Sequence, residues 1–196
     1  GDGTTTNRHS PVKVVDADVT AVAAGLGHTL YLKSDGSLWT MGLNNKGQRG
    51  DGTTTDRNAS VLIVDSGVKS IACGFWHSLF IKTDGSLWAM GANWAGQLGD
   101  GTTTDRHSPV MIVDANVTAV AAGEGTSLFL KADGTLWAMG KNDCGQLGDG
   151  KSTHRLTPVQ VASEVVRIVA GAYHSLYQKT DGTLWATGVN SYGQLG

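Results

Sequence analysis

The sequence consists of four tandem repeats of about 49 residues. The string Asp-Gly-(Ser/Thr)-Leu-Trp recurs at 35–39, 84–88, 133–137 and 181–185. The repeats span 1–49, 50–98, 99–147 and 148–195, and Gly196 would begin a fifth. Residues 50–98 and 99–147 are identical at 30 of 49 positions. Such a period indicates one small structural unit per repeat, with neighbouring units stacked to bury a shared core.

Composition excludes several classes of protein. The chain is 40% hydrophobic and 16% charged with a net charge of −2, which is typical of a chain that folds around a core. Its 15 basic residues against 17 acidic ones give no electrostatic signature for nucleic acid or for a charged membrane surface. No apolar run is long enough to cross a membrane as a helix. We therefore expect neither a nucleic-acid partner nor membrane insertion.

Each repeat contains four short apolar runs and no helical periodicity. In the second repeat these runs are 61–64, 68–73, 77–82 and 87–90. All have the length of strands, and the Asp84-Gly85 pair between the third and fourth runs predicts a tight hairpin. Four strands in a period near 49 match one blade of a β-propeller. The sequence thus predicts an all-β fold of four tandem four-stranded blades in a single repeat domain, 1–196.

Two longer strings identify the type of blade. They are Ala-Cys-Gly-x-x-His-Ser-Leu at 72–79 and Asp-Gly-Ser-Leu-Trp-Ala-Met-Gly-x-Asn-x-x-Gly-Gln-Leu-Gly at 84–99. The Gly-Gly doublet of kelch blades and the Trp-Asp of WD40 blades do not occur. The strings resemble the repeat of the regulator of chromosome condensation (RCC1) family, in the tandem form found in bacteria. One departure is Met41, Met90, Met139 and Thr187, where the family often has a second tryptophan.

The number of blades in a complete ring stays open at this stage. The resemblance implies about seven blades, whereas the chain carries four repeats. Four interpretations follow: a fragment of a longer array, a closed four-bladed ring, half of an eight-bladed ring of two chains, or one unit of a head-to-tail assembly. The sequence around Gly196 continues in register into Gly1, which favours self-association as one possibility.

Residues that recur in all four repeats are predicted to serve the blade itself. The aspartates at 2, 51, 100 and 149 and the arginines at 8, 57, 106 and 155 predict an ion pair within each long loop. The tryptophans at 39, 88, 137 and 185 predict packing between blades. His28, His77 and His174 share one position with Thr126, which indicates hydrogen bonding rather than metal ligation or catalysis.

Positions at which the repeats differ point to a binding face. They follow the second and fourth apolar runs of each repeat, and the alternating strand directions place both loops at the same end of the blade, opposite the Asp-Gly hairpin. Aromatic side chains in such loops are typical anchors at protein interfaces. The predicted partner-binding residues are Phe75, Trp76, Trp94, Glu124, Lys141, Asp143, Tyr173 and Tyr192. The alternative is local packing over the blade edges.

The resulting hypothesis is a non-enzymatic scaffold that binds a protein partner through this face. No catalytic residue set, cofactor motif or metal site is predicted; the Asp-Gly-Thr-Thr-Thr-Asp loops offer calcium ligands, but Asn7 and His154 replace the second aspartate. The first alternative is a self-assembling structural unit. The resemblance implies a second, since family members include exchange factors for a small GTPase and inhibitors of β-lactamases. Threonine-rich loops suggest a bacterial extracellular or surface protein.

Overall fold

The computed structural model describes residues 1–196 and contains four antiparallel sheets and no helix. Blade I comprises β1 (Val19–Ala24), β2 (His28–Lys33), β3 (Leu38–Gly42) and β4 (Arg57–Val64). Blade II comprises β5 (Val68–Cys73), β6 (His77–Lys82), β7 (Leu87–Gly91) and β8 (Arg106–Val113). Blade III comprises β9 (Val117–Ala122), β10 (Thr126–Lys131), β11 (Leu136–Gly140) and β12 (Arg155–Ala162). Blade IV has three strands, β13 (Val165–Ala170), β14 (His174–Lys179) and β15 (Leu184–Gly188).

The sheets are offset from the sequence repeats. All four apolar runs of the second repeat form strands, as predicted, but its first run is β4, the outer strand of blade I, and only the other three belong to blade II. Each four-stranded blade therefore takes its outer strand from the following repeat. Residues 8–15, which correspond to β4, β8 and β12, lie in no sheet.

The core lies between blades. The inner strands β1, β5, β9 and β13 run side by side around the axis, and each blade packs one face against the next. Between blades II and III, Leu79, Ile81 and Leu87 contact Val117 and Phe129, and equivalent clusters join the other neighbours. We call the side of a blade that points toward the next blade in sequence its trailing face, and the opposite side its leading face.

Two blade faces have no neighbour within residues 1–196. On the trailing face of blade IV, Leu184 is 72% exposed, whereas its equivalent in blade III, Leu136, is 2% exposed. On the leading face of blade I, Val19 is 41% exposed, whereas Val68 in blade II is 5% exposed. These are the same apolar positions that build the core where blades meet.

Hydrogen bonds across the blade boundaries explain the recurring histidine. The Ser78 hydroxyl donates to the Gln48 carbonyl at 2.7 Å, so it accepts from the Nε2–H of His28 at 2.9 Å. His77 and Ser127 repeat this arrangement at the next boundary, where the serine donates to Gln97. Burial lowers the pKa of His28 to about 4 and that of His77 to about 3, so both are neutral donors at neutral pH.

The predicted aspartate–arginine pair forms in three of the four loops. Arg8, Arg106 and Arg155 lie 2.6 to 2.7 Å from Asp2, Asp100 and Asp149. In the second repeat the prediction is wrong for Asp51, which lies 3.4 Å from Arg49 instead of pairing with Arg57. The reason is that Arg49 occupies the buried position of Leu98 and Leu147, and its guanidinium takes the place beside the carboxylate.

The recurring tryptophans lie against neighbouring strands. Each stacks on an aromatic ring of the adjacent strand, with centroids 6.1 to 6.2 Å apart, and a lysine ammonium lies over each indole. Trp88 and Trp137 also pack against the clusters between blades. The predicted packing role is therefore confirmed for these two.

Candidate protein-binding face

The two variable loops of each blade lie side by side at one end of the sheet. The first joins the inner strand to the second, and the other follows the third strand; a backbone hydrogen bond ties them together in every blade. In blade II, Ala92 N donates to Trp76 O at 2.8 Å, and in blade III Lys141 N donates to Gly125 O at 2.8 Å. The antiparallel registers place the Asp-Gly hairpins at the opposite end. We call the end with the variable loops the loop face.

Four of the predicted residues meet in one cluster on the loop face. The Lys141 ammonium lies 2.8 Å from a carboxylate oxygen of Glu124. It also lies 5.3 Å from the ring centroid of Trp94 and 5.0 Å from that of Tyr173. These residues come from blades II, III and IV, so the cluster spans two blade boundaries. The hydrogen bond that the Lys141 ammonium donates to Glu124 raises the pKa of Lys141, which keeps the ammonium charged at neutral pH.

The cluster is ordered but open to solvent. The Lys141 and Glu124 side chains are mostly buried, whereas Trp94 is 42% exposed and Tyr173 is also exposed. The ring of Trp94 lies so close to Gly125 that a Cβ there would be 2.9 Å from it, so this glycine makes room for the indole. A cation that contacts two aromatic rings and a carboxylate favours one arrangement of those rings.

A histidine that the sequence analysis did not assign to the face extends this cluster. His154 lies with its ring centroid 6.4 Å from that of Trp94, edge to face. Its Nδ1 accepts a hydrogen bond from Asn142 N at 3.2 Å and lies 3.7 Å from an oxygen of Asp143. The signal was available in the sequence, because His154 interrupts a position held by aspartate in two other repeats.

Three of the other predicted residues lie elsewhere on the face. Phe75 and Trp76 form their own edge-to-face pair, with centroids 5.9 Å apart, and both are half-buried. Phe75 also lines a cleft of about 480 Å³ on the propeller axis, which is otherwise surrounded mainly by alanine and glycine. Tyr192 is 95% exposed on blade IV and is not stacked on another ring. The structure thus gathers half of the predicted set around Lys141, places Asp143 beside His154, and leaves Phe75, Trp76 and Tyr192 apart from them.

The recurring polar residues of the loop face are used by the scaffold. Asn93, for example, donates through its side chain to Asp100 and Thr102 and accepts from Leu98 N, and Asn44 and Asn142 repeat this network. No group of three or more His, Cys, Asp or Glu side chains converges as metal ligands would. The chain also has no helix long and apolar enough to cross a membrane.

Antiparallel blades around an axis, with variable loops on one face, define the class of β-propeller proteins. The profile of the RCC1-like domain matches residues 1–196, and the chain belongs to that family. This confirms the resemblance drawn from the sequence.

Solved structures agree with this assignment. Human WBSCR16 matches with a TM-score of 0.79 and 26% identity over 87% of this chain and 47% of that one. Yeast RCC1 (Prp20), solved bound to Kap60, matches with a TM-score of 0.78 and 24% identity over 88% of this chain and 44% of that one. The Saccharomyces cerevisiae Prp20p structure, described with its binding to Gsp1p and histones, matches with a TM-score of 0.78 and 23% identity over 87% of this chain and 45% of that one.

The chain spans less than half the length of these three proteins. A search of curated proteins finds no significant match.

Proposed function

We propose that the protein is a binding scaffold that holds a protein partner against its loop face, without catalysis of its own. The observation that carries the proposal is the cluster around Lys141, in which residues at variable positions of three blades are brought together and kept partly exposed. The RCC1-like relatives support the general role, because Prp20 is described in complex with Kap60 and in binding to Gsp1p and histones.

The physical properties of the cluster suit an interface. Trp94 and Tyr173 present large rings that already contact Lys141, so binding a partner costs less of the side-chain entropy of these two residues. Aromatic anchors of this kind contribute most of the affinity in many interfaces. Trp94 is 42% exposed, so part of this residue stays available to a partner. Phe75 and Trp76 would extend the contact toward the axis, while Asp143 and Tyr192 would contribute at its edge.

The test is a selection from a displayed library of protein fragments from the source genome, with Gsp1p and histones added as defined probes. Ligands enriched on the wild-type protein are measured for affinity against Trp94→Ala, Tyr173→Ala and Trp76→Ala. We expect the dissociation constant to rise at least about tenfold for Trp94→Ala, as at an interface hot spot. Circular dichroism of each variant checks that the fold is unchanged.

The control variant lies on the opposite end of the propeller. Thr83→Ala combined with Thr180→Ala alters two exposed hairpin residues and should leave affinity unchanged. If the enriched ligands bind the loop-face variants normally and lose affinity for the hairpin variant, the binding face has been assigned to the wrong end.

A further inference from the structure

We infer that His154 makes the loop face sensitive to mild acid: protonation of its imidazole releases the backbone of Asn142 and shifts the Trp94 ring that packs against it. This inference rests on the proposed function, because it describes how binding at that face is regulated. It adds to that function the effector, which is the proton, and the side chain that receives it.

The position of His154 anchors a variable loop in each of the four-stranded blades. In blade I the backbone N–H of Asn44 donates to a carboxylate oxygen of Asp56 at 2.7 Å. In blade II the backbone N–H of Asn93 donates to Asp105 at 2.8 Å. Carboxylates ordinarily remain ionised above about pH 5, so hydrogen bonds of this kind do not respond to mild acid.

In blade III a histidine accepts the equivalent hydrogen bond. The backbone N–H of Asn142 donates to Nδ1 of His154 at 3.2 Å, so the neutral imidazole carries its hydrogen on Nε2. Histidine is the side chain that ordinarily gains a proton between about pH 5 and pH 8, and that proton would occupy the Nδ1 lone pair. Mild acid therefore removes the acceptor from this loop and leaves it in place in blades I and II.

The protonated imidazole has a different partner close by. A carboxylate oxygen of Asp143 lies 3.7 Å from the same Nδ1 atom of His154. A movement of about 1 Å would bring the two groups to the usual length of a charge-assisted hydrogen bond. The Asp143 side chain is 57% exposed, which leaves it room for this movement. The neutral ring thus favours the backbone of Asn142, and the charged ring favours Asp143.

The same position also supports the variable loop of the preceding blade. At the boundary of blades I and II, the Lys46 ammonium lies 3.3 Å from Asp105. At the boundary of blades II and III, the contact is made by Trp94, whose ring lies 6.4 Å from that of His154, centroid to centroid, at an interplanar angle of 78°. A movement of the imidazole therefore changes the support of the exposed indole.

The other charged groups around the imidazole are mostly paired with each other. They are the ion pairs Lys141–Glu124 and Arg155–Asp149 and the exposed Lys151. The thiol of Cys144 and the phenol of Tyr173 complete the titratable groups on these segments. The loop of blade II that carries Trp94 has no charged residue from 92 to 98. Asp143 thus favours the charged imidazole, and Lys151 opposes it.

The experiment follows two NMR signals of the free protein as the pH is lowered from about 7.5 to about 5.5. The first is the backbone amide of Asn142, with the amides of Asn44 and Asn93 as internal controls. The second is the indole N–H of Trp94, assigned by comparison with Trp94→Phe. We expect both signals to shift together. Exchange of the Asn142 amide with solvent should become at least about fivefold faster relative to Asn93, as loss of one hydrogen bond predicts.

The matched control is His154→Asp, which places at this position the carboxylate that blades I and II have. In this variant the Asn142 and Trp94 signals should no longer depend on pH. If they still titrate, another group is the sensor and the inference is wrong. In Asp143→Asn the change should occur at a lower pH, because the charged imidazole has lost its carboxylate partner.

These spectra require no partner, so they separate the inference from the proposed function. If both signals titrate and the fragment selection enriches no ligand, the acid response stands and the proposed function is wrong. If ligands that depend on Trp94 are found and neither signal titrates, the proposed function stands and the inference is wrong. If only the Asn142 signal titrates, the coupling to the loop face is wrong.

Discussion

The substitution Arg49→Leu should stabilise the protein. The Arg49 side chain is completely buried at a position where Leu98 and Leu147 complete the same loop in the next two blades. Its Nη1 donates to Thr55 O at 3.0 Å, but its Nε and Nη2 have no hydrogen-bond partner. The carboxylate of Asp51 lies 3.4 Å away, and burial lowers the pKa of the guanidinium.

The size of the change in unfolding free energy follows from the unpartnered donors and the buried ion pair that leucine removes and from the apolar packing that it adds. Each buried unpartnered donor costs about 1–3 kcal/mol, and replacing a buried ion pair with a well-packed apolar residue is often neutral or stabilising by about 1–4 kcal/mol. We therefore expect the free energy of unfolding to rise by about 1–3 kcal/mol. For a chain of this size that corresponds to an increase of roughly 2–12 °C in the melting temperature.

The assay is urea denaturation followed by tryptophan fluorescence, with calorimetry for the melting temperature. A double-mutant cycle tests the mechanism: Arg57→Ala should cost little in the wild type, where Arg57 is exposed and unpaired with Asp51, and more in Arg49→Leu, where Asp51 becomes free to pair with it. The reverse change, Leu98→Arg, should destabilise by several kcal/mol. A lower melting temperature for Arg49→Leu would refute the reasoning, since it would show that the ion pair outweighs the unpartnered donors.

Two further predictions concern the junctions between blades. Because the pKa of folded His77 is lowered to about 3 while an unfolded histidine titrates near 6.5, the unfolded chain binds more protons below pH 6.5. The free energy of unfolding should fall by about 3 kcal/mol between about pH 6.5 and pH 4 because of this group. In His77→Thr the urea midpoint should depend less on pH across that range. Gly85→Ala should destabilise more than Gly182→Ala, because both have positive φ but only Gly85 would place a Cβ 2.7 Å from the backbone N of Asn116 in the next blade. An equal decrease in melting temperature for the two variants would show that the positive φ, and not the contact with the next blade, sets the loss of stability.

The strands and the loop face could be predicted because each depends on local pattern. Short apolar runs and the Asp-Gly hairpin determine where strands lie and reverse, and strand direction then places both variable loops at one end. The partner of the first run could not be predicted in the same way. Val64 and Val68 are separated by only three residues, a spacing that favours a hairpin, yet β4 and β5 belong to different blades. Alternation specifies which side of a strand is apolar, but not which strand lies beside it.

The candidate site depends on contacts between repeats, which explains why its composition was only partly predictable. Comparison of the repeats identifies Trp94, Lys141 and Tyr173 as variable, but they come from successive repeats and meet only because their loops bend across two blade boundaries. Asp143, two residues from Lys141, turns instead toward His154. Variation among repeats thus predicts which positions are not required by the fold of the blade. The packing angle between blades decides which of these positions form one surface. For the same reason, Trp94→Ala should weaken partner binding without disturbing the blade cores, since none of the three clusters between blades includes this ring.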